Sequence, residues 1–254
     1  MQRRTKWKKR RTHVLVFAPT IDLASRITRA FNCYGRLEVD GRATLHMTPK
    51  TLLKLVLDID QRCFIIPAHL WTPYFGLYGS KSGYDSLEEC FEEMTEHVYA
   101  IETGLSSGPA MNWGVSSLDH VSLMSFSDAH SLQNLGREAT VLPETPSYQG
   151  ILDAIKYESI ECTIEFFPEE GKYHYSGHRK CGIRMSPEDV AKSGDLCSVC
   201  GKRITLGVAH RIMELSTSLE PANIGTDGMV RNMHGRPPFR MLVSLRKMFQ
   251  RSKD

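Results

Sequence analysis

The segment Cys63-Phe64-Ile65-Ile66-Pro67-Ala68-His69 decides the reading of this chain. A short apolar run closed by proline reads as a buried strand, and it delivers a histidine at its C-terminal end. The pattern recurs on both sides. His13-Val14-Leu15-Val16-Phe17-Ala18 is a second apolar run, closed by Pro19, and Val121 to Phe126 is a third, delivering Ser127-Asp128-Ala129-His130. Further runs at Val98 to Ile101 and Cys162 to Phe167 complete the strands. Between them lie helical patterns. Thr20 can cap a helix whose Ile21, Ala24, Ile27, Ala30 and Phe31 share a face. Thr48-Pro49 opens a second helix carrying Leu52, Leu53, Val56, Leu57 and Ile59. Others are expected from Asp85 and from Tyr148 to Ile155. Alternating strands and helices imply an α/β fold of parallel βα units, in which ligands collect at the carboxyl ends of strands. His69, Glu102, Asp128 and His130 fall at or just past such ends, whereas His13 opens its strand.

The 254 residues are 41% hydrophobic and 24% charged, which excludes disorder for most of the chain. No apolar stretch is long enough to span a membrane, and the opening residues have no secretory apolar region, so the expected compartment is the cytoplasm. The net charge is only +3, but seven of the first eleven residues are Lys or Arg, and Arg236 to Lys253 is basic again. Such ends suit a polyanion such as nucleic acid, or are simply solvated arms. The seven cysteines are an odd, scattered set that does not suggest a disulfide framework.

Three cysteines form the clearest motif: His178-x2-Cys181, fifteen residues, then Cys197-x2-Cys200. Two knuckles joined by a loop suit tetrahedral zinc, and four protein ligands leave no open position, so the zinc would be structural. His174 is an alternative to His178. A second set, His13, His69, Asp128 and His130, can hold two or three divalent ions for phosphate-ester hydrolysis, although each histidine alone is more often a hydrogen-bonded structural residue. Gly79-Ser80-Lys81-Ser82 lacks the spacing of a phosphate loop, and no Gly-x-Ser-x-Gly elbow is present. From Lys172 the texture changes to Gly, His, Cys and charge, and beyond Leu215 periodicity fades. The expected division is 1–170 for the α/β domain, 171–215 for the zinc-binding module and 216–254 for a basic segment open to disorder.

Several stretches resemble the endonuclease Q family of PHP-type (polymerase and histidinol phosphatase) phosphoesterases. They are "FIIPAHLWTPYFGLYGSKSGYDSLEECF" (64–91), "YAIETGLSSGPAMNW" (99–113), "SDAHSLQNLGREA" (127–139), "TIEFFPEEGKYHYSGHRKCG" (163–182) and "CSVCGKRITLGVAHRIMEL" (197–215). The resemblance runs from Arg11 to Leu215. It implies a partial, distorted β/α barrel with a zinc module, and hydrolysis of DNA 5′ to hypoxanthine, uracil, xanthine or abasic sites with Zn²⁺, Mg²⁺ or Mn²⁺. It also implies that His13 and His69 bind one barrel metal, Asp128 the adjacent one and His130 a third. Glu102 supports this rim, and His178, Cys181, Cys197 and Cys200 hold the structural zinc.

The family's opening His-x-His strand and bridging Glu have no counterpart, as in a protein truncated at both ends. Reduced or absent nuclease activity is therefore expected, unless a separate polypeptide supplies those strands. An extruded base would stack on Trp71, with Tyr74 and Phe75 as further candidates and Phe75 read rather as core. Lys81, Lys172 and Arg179 are candidate phosphate contacts. The competing functions are a non-catalytic zinc-containing DNA-binding remnant and a phosphatase acting on a small phosphate monoester.

Overall fold

The computed structural model describes residues 10–39, 43–143, 147–218 and 220–243. The basic stretches 1–9 and 244–254 lie outside the described residues, so the polyanion reading of the two ends finds no test in the fold.

The chain begins with β1 (Val14–Phe17), followed by α1 (Ile21–Phe31) and α2 (Pro49–Ile59). Both helices start where the sequence places their caps. The Thr20 and Thr48 hydroxyls accept hydrogen bonds from the Leu23 and Thr51 backbone N–H groups, at 3.2 and 3.1 Å. These bonds satisfy amides that the first helical turn leaves open. The buried face of α1 is Leu23, Ile27 and Phe31, while Ile21 is exposed. The next strand, β2 (Phe64–Pro67), is wholly buried and pairs with β1 in antiparallel register, Leu15 opposite Ile66. This corrects the expectation of uniformly parallel units. One crossover helix returns the chain for a parallel strand, whereas two consecutive helices bring it back at the opposite end, so the following strand runs the other way.

The single turn α3 (Leu87–Phe91), capped by Ser86, continues into a 3₁₀ segment, Glu92–His97. Then β3 (Ala100–Glu102), α4 (Pro109–Asn112) and β4 (Ser122–Met124) follow, with β3 and β4 parallel. The Leu70 N–H donates to the Glu102 carbonyl and the Thr103 N–H to the Met124 carbonyl, both at 3.0 Å. The ends of β2, β3 and β4 are thereby laced side by side, which gathers their C-terminal residues on one rim.

Next come β5 (Ala139–Val141), α5 (Tyr148–Lys156) and β6 (Cys162–Glu165). A hairpin of β7 (Ser176–His178) and β8 (Ile183–Met185) opens the small module, which continues through α6 (Pro187–Ser193) to α7 (Val208–Leu215). The segment after Leu215 does not form a loose tail where it is described. It makes β9 (Asn223–Ile224), β10 (Val230–Arg231) and β11 (Phe239–Met241), and β11 lies parallel to β6 in a five-stranded sheet ordered β5-β6-β11-β10-β9. Strands this short carry no readable period, and β6, the partner of β11, lies some 75 positions upstream.

A large apolar core binds α1, α2 and β2 to the loops around Trp71, Tyr78 and Trp113, and reaches β10 and β11 through Val230 and Phe239. A second core lies between β2, β4 and α5. A third, of Val190, Cys197 and Ile204, belongs to the module alone. Among the described residues no helix is long and apolar enough to cross a membrane.

Candidate metal centre and strand-end rim

In the module, the ligand atoms of His178, Cys181, Cys197 and Cys200 all lie within 4.8 Å of one another. The folding reason is local. β7 ends at His178, a 3₁₀ turn over Arg179–Cys181 presents Cys181, and Gly182 takes φ +69° to start β8. The second knuckle closes through the Gly201 N–H bonded to the Cys197 carbonyl at 2.8 Å and the Cys197 N–H bonded to the Lys202 carbonyl at 2.8 Å. Cys200 Sγ lies 3.2 Å from His178 Nδ1. Burial pushes the Cys197 thiol up, but hydrogen bonds from the Cys200 backbone and from His178 outweigh it and hold the group down at about 6. Burial and the neighbouring Cys200 and Cys197 thiols push Cys181 up to about 11. Three sulfur donors and one nitrogen within this reach could hold one metal ion, and a Cys₃His donor set is of the kind that takes zinc with its thiols deprotonated on binding. His174 is placed elsewhere: it is buried, with Nδ1 3.0 Å from the Ser106 carbonyl oxygen.

At the rim, His13 and His69 meet. His13 Nδ1 lies 2.8 Å from His69 Nε2, and the Thr72 hydroxyl lies 2.8 Å from His69 Nδ1. The imidazole of His13 is covered by the Phe75 ring, nearly parallel to it at 5.0 Å between centroids. Glu102 is buried at the end of β3, where one carboxylate oxygen accepts the His69 N–H at 2.6 Å. Burial pushes its carboxyl up to about 7, against the pull of that hydrogen bond, and the Asp128 carboxylate pushes the same way. Glu102 thus anchors the His69 backbone rather than presenting an open carboxylate.

Asp128 and His130 sit in the loop after β4, both largely exposed. The His130 ring nitrogen Nδ1 lies 2.9 Å from the Asp128 carbonyl oxygen, and Arg137 donates to the Ser127 carbonyl at 2.8 Å to hold the loop. His69, Phe75 and Asp128 all take positive φ, at 32°, 67° and 42°. Non-glycine residues avoid that region unless the surroundings impose it, and such residues concentrate at functional sites. The four predicted ligands are nonetheless not drawn into one cage. Among the described residues, the module's set is the only group of three or more His, Cys, Asp or Glu side chains close enough for one ion. His13 and His69 stand at hydrogen-bond distance from each other, and among the described residues the rim side chains do not close into a group around one ion.

Trp71 requires correction. It is fully buried, its indole N–H donates to Asn112 Oδ1 at 2.6 Å, and it packs edge-on against Tyr78. It is a wall of the core and cannot stack on a base. The exposed aromatic residues of that loop are Tyr74 and Phe75, the latter expected in the core. Lys81 reaches the Ile204 carbonyl at 3.3 Å, Lys172 stands over the Tyr173 ring, and Arg179 is exposed at the module's first knuckle. The sequence reading missed two acids beneath the rim, Glu165 and Glu138. Glu165 Oε1 accepts from the Thr163 hydroxyl at 2.5 Å, and Glu138 Oε1 from the Phe166 N–H at 3.2 Å, while Glu138 Oε2 is buried without a hydrogen-bond partner. The signal was an acidic residue inside the apolar run Thr163-Ile164-Glu165-Phe166-Phe167.

No protein-family model matches the chain. It is 32% identical over 219 residues to the uncharacterized protein YqxK of Bacillus subtilis, covering 82% of this chain and 52% of that protein. It is also 32% identical over 186 residues to the uncharacterized protein MJ0043 of Methanocaldococcus jannaschii, covering 70% of this chain and 22% of that one. Among solved structures, it superposes on the lesion-specific endonuclease PfuEndoQ of Pyrococcus furiosus with a TM-score of 0.75 and 26% identity, over 93% of this chain and 56% of that one. A complex of endonuclease Q with a 27-mer duplex substrate, carrying an abasic lesion at the active site, matches at a TM-score of 0.76, 26% identity and the same 56% of its length. The chain spans about half the length of these structures and of the Bacillus relative, and across nine-tenths of its own length it is an endonuclease Q-like protein.

Proposed function

We propose that this chain acts in DNA repair as part of a metal-dependent, lesion-directed endonuclease, cutting 5′ to deaminated bases or abasic sites. The observation that carries this reading is the likeness to the duplex-bound endonuclease Q together with the rim of His13, His69, Glu102, Asp128 and His130. We read the strand arc as a partial PHP-type barrel and the Cys/His group as its structural zinc site. The protein would act in the cytoplasm.

His13 and His69 would hold a divalent ion, which when bound supplies Lewis-acid polarisation of a phosphodiester and a more acidic water. This chain's own residues do the rest. Glu102 fixes the His69 backbone, Thr72 fixes its ring, and Asp128 and His130 stand in the adjacent loop, open to substrate. Lys81, Lys172 and Arg179 would meet backbone phosphates, and the exposed Tyr74 replaces Trp71 as the candidate for contact with an extruded base.

A second reading, a zinc-containing DNA-binding piece without catalysis, is favoured by one observation: the four rim ligands do not close into a cage. A separate polypeptide that completes the rim would reconcile the two. The test is nicking of duplexes carrying one deoxyinosine, deoxyuridine or abasic site with Mg²⁺ or Mn²⁺. Weak cleavage 5′ to the lesion, lost in Asp128→Ala, is the expected result. Lesion-duplex binding without any cut would favour the second reading, and neither binding nor cutting would overturn both.

A further inference from the structure

The loop from Thr72 to Gly83 is the most tightly built connection at the rim. At Gly76, Gly79 and Gly83 an added Cβ would collide with backbone atoms of the loop itself or of Leu70. The Ser82 hydroxyl accepts the Phe75 N–H and donates to the Arg11 carbonyl, both at 3.2 Å, while the His13 N–H donates to the Phe75 carbonyl at 2.8 Å. These bonds hold Phe75 at φ +67°, a left-handed conformation that a non-glycine residue adopts only when its surroundings impose it. The conformation lays the ring on the His13 imidazole, with planes 22° apart, and Arg11 closes on the ring from 5.8 Å. The other side of the loop is fastened to the segment leaving the Cys/His group. Tyr74 Oη lies 3.3 Å from Thr205 Oγ1, Ser80 donates to the Leu206 carbonyl at 2.7 Å, and Lys81 to the Ile204 carbonyl.

We propose that Phe75 is a positioning residue for the His13–His69 pair, its ring setting the His13 plane so that Nδ1 faces His69, with its loop braced on the Cys/His module. The inference deepens the metal-dependent reading and rests on it for its catalytic consequence. A face-to-face aromatic contact restrains rotation of the imidazole about its side-chain bonds, and fixing the orientation of a ligand ring typically changes metal affinity 10- to 100-fold.

The test uses the full chain with its Cys/His group loaded with zinc, and the variants Phe75→Gly and Phe75→Tyr. Glycine accepts the positive φ, so the first variant removes the ring and keeps the backbone. In the parent chain, the His13 carbon-bound ring protons are expected to be displaced upfield by the Phe75 ring current. Phe75→Gly should abolish that displacement and weaken binding of added Co²⁺ about 10-fold, and Phe75→Tyr should restore both. The His174 resonances, held at Ser106, should stay unchanged throughout. An unshifted His13 in the parent chain, equal Co²⁺ affinity in Phe75→Gly, or loss of the His174 resonances together with those of His13 would overturn the proposal. Restored metal binding without any lesion-directed cleavage would instead leave Phe75 in place and sink the nuclease reading.

Discussion

Two histidine-bearing centres in this chain are built to different degrees. In the Cys/His module four ligand atoms converge within 4.8 Å around a small core of their own. At the strand-end rim one pair of imidazoles meets at 2.8 Å, while Asp128 and His130 stand apart in an exposed loop. The difference follows from chain distance. The module's ligands come from two local knuckles, each shaped by its own turn. The rim's ligands come from three separate strand ends, and their convergence depends on every strand around them. A local site is completed by its own sequence; a distributed one is completed by the fold.

The largest expected effect is on the module. Chelation, or Cys197→Ala, should unfold residues 176–206, because a structural zinc held there would contribute on the order of 10 kcal/mol. Circular dichroism and limited proteolysis would show it, with the rest of the chain remaining folded. If the module survives chelation intact, the contrast between the two centres is wrong.

Next is the wall behind the rim. Trp71→Ala should cost about 3–5 kcal/mol by cavity formation, and Trp71→Phe about 1–3 kcal/mol by leaving Asn112 Oδ1 unpaired. A Trp71→Phe protein of normal stability that binds DNA poorly would return Trp71 to the substrate side.

The buried acids give a pH dependence. Burial pushes Glu165 up to about 7 and Glu138 up to about 9, with each carboxyl near another acid that adds to the effect. A carboxyl whose folded pKa exceeds its unfolded value near 4.5 binds more protons in the folded state through that interval. Its contribution is therefore full below pH 4.5 and is lost as pH rises through 7 and then 9. Glu138→Gln should flatten the alkaline fall and raise stability at pH 8 by about 1–3 kcal/mol. Thermal unfolding across pH 5 to 9 measures it, and an unchanged profile would remove the buried-acid account.

The smallest effect on stability is expected at Asp128. Asp128→Asn, whose side chain tolerates the positive φ as aspartate does, should change it by about 0.5 kcal/mol or less, as for an exposed surface residue, while abolishing any activity that added metal supports. A large loss of stability would mean that the loop is structural rather than presented to substrate.

What was legible in the sequence was local. The Thr48-Pro49 helix runs from Pro49 to Ile59 as its cap and apolar spacing require, and the two Cys/His knuckles pair as their spacing suggests. Strand direction was not legible from apolar runs alone, yet the two capped helices between Phe17 and Phe64 already implied an antiparallel return. Trp71 was misread because a proline-containing loop suggests exposure, whereas Leu70, Trp71, Leu77 and Tyr78 together make this loop part of the core. The strands after Leu215 have two or three residues each, too few for a period, and join the sheet through the pairing of β11 with β6.

The contrast between a complete centre and a half-assembled one is tested most directly by metal stoichiometry, using native mass spectrometry of the chain after exhaustive dialysis. The account predicts one zinc per chain, held by the Cys/His group and absent from Cys197→Ala, with a second ion bound only when metal is added and lost in a His13→Ala, His69→Ala double variant. Two or more retained ions, or none, would contradict it.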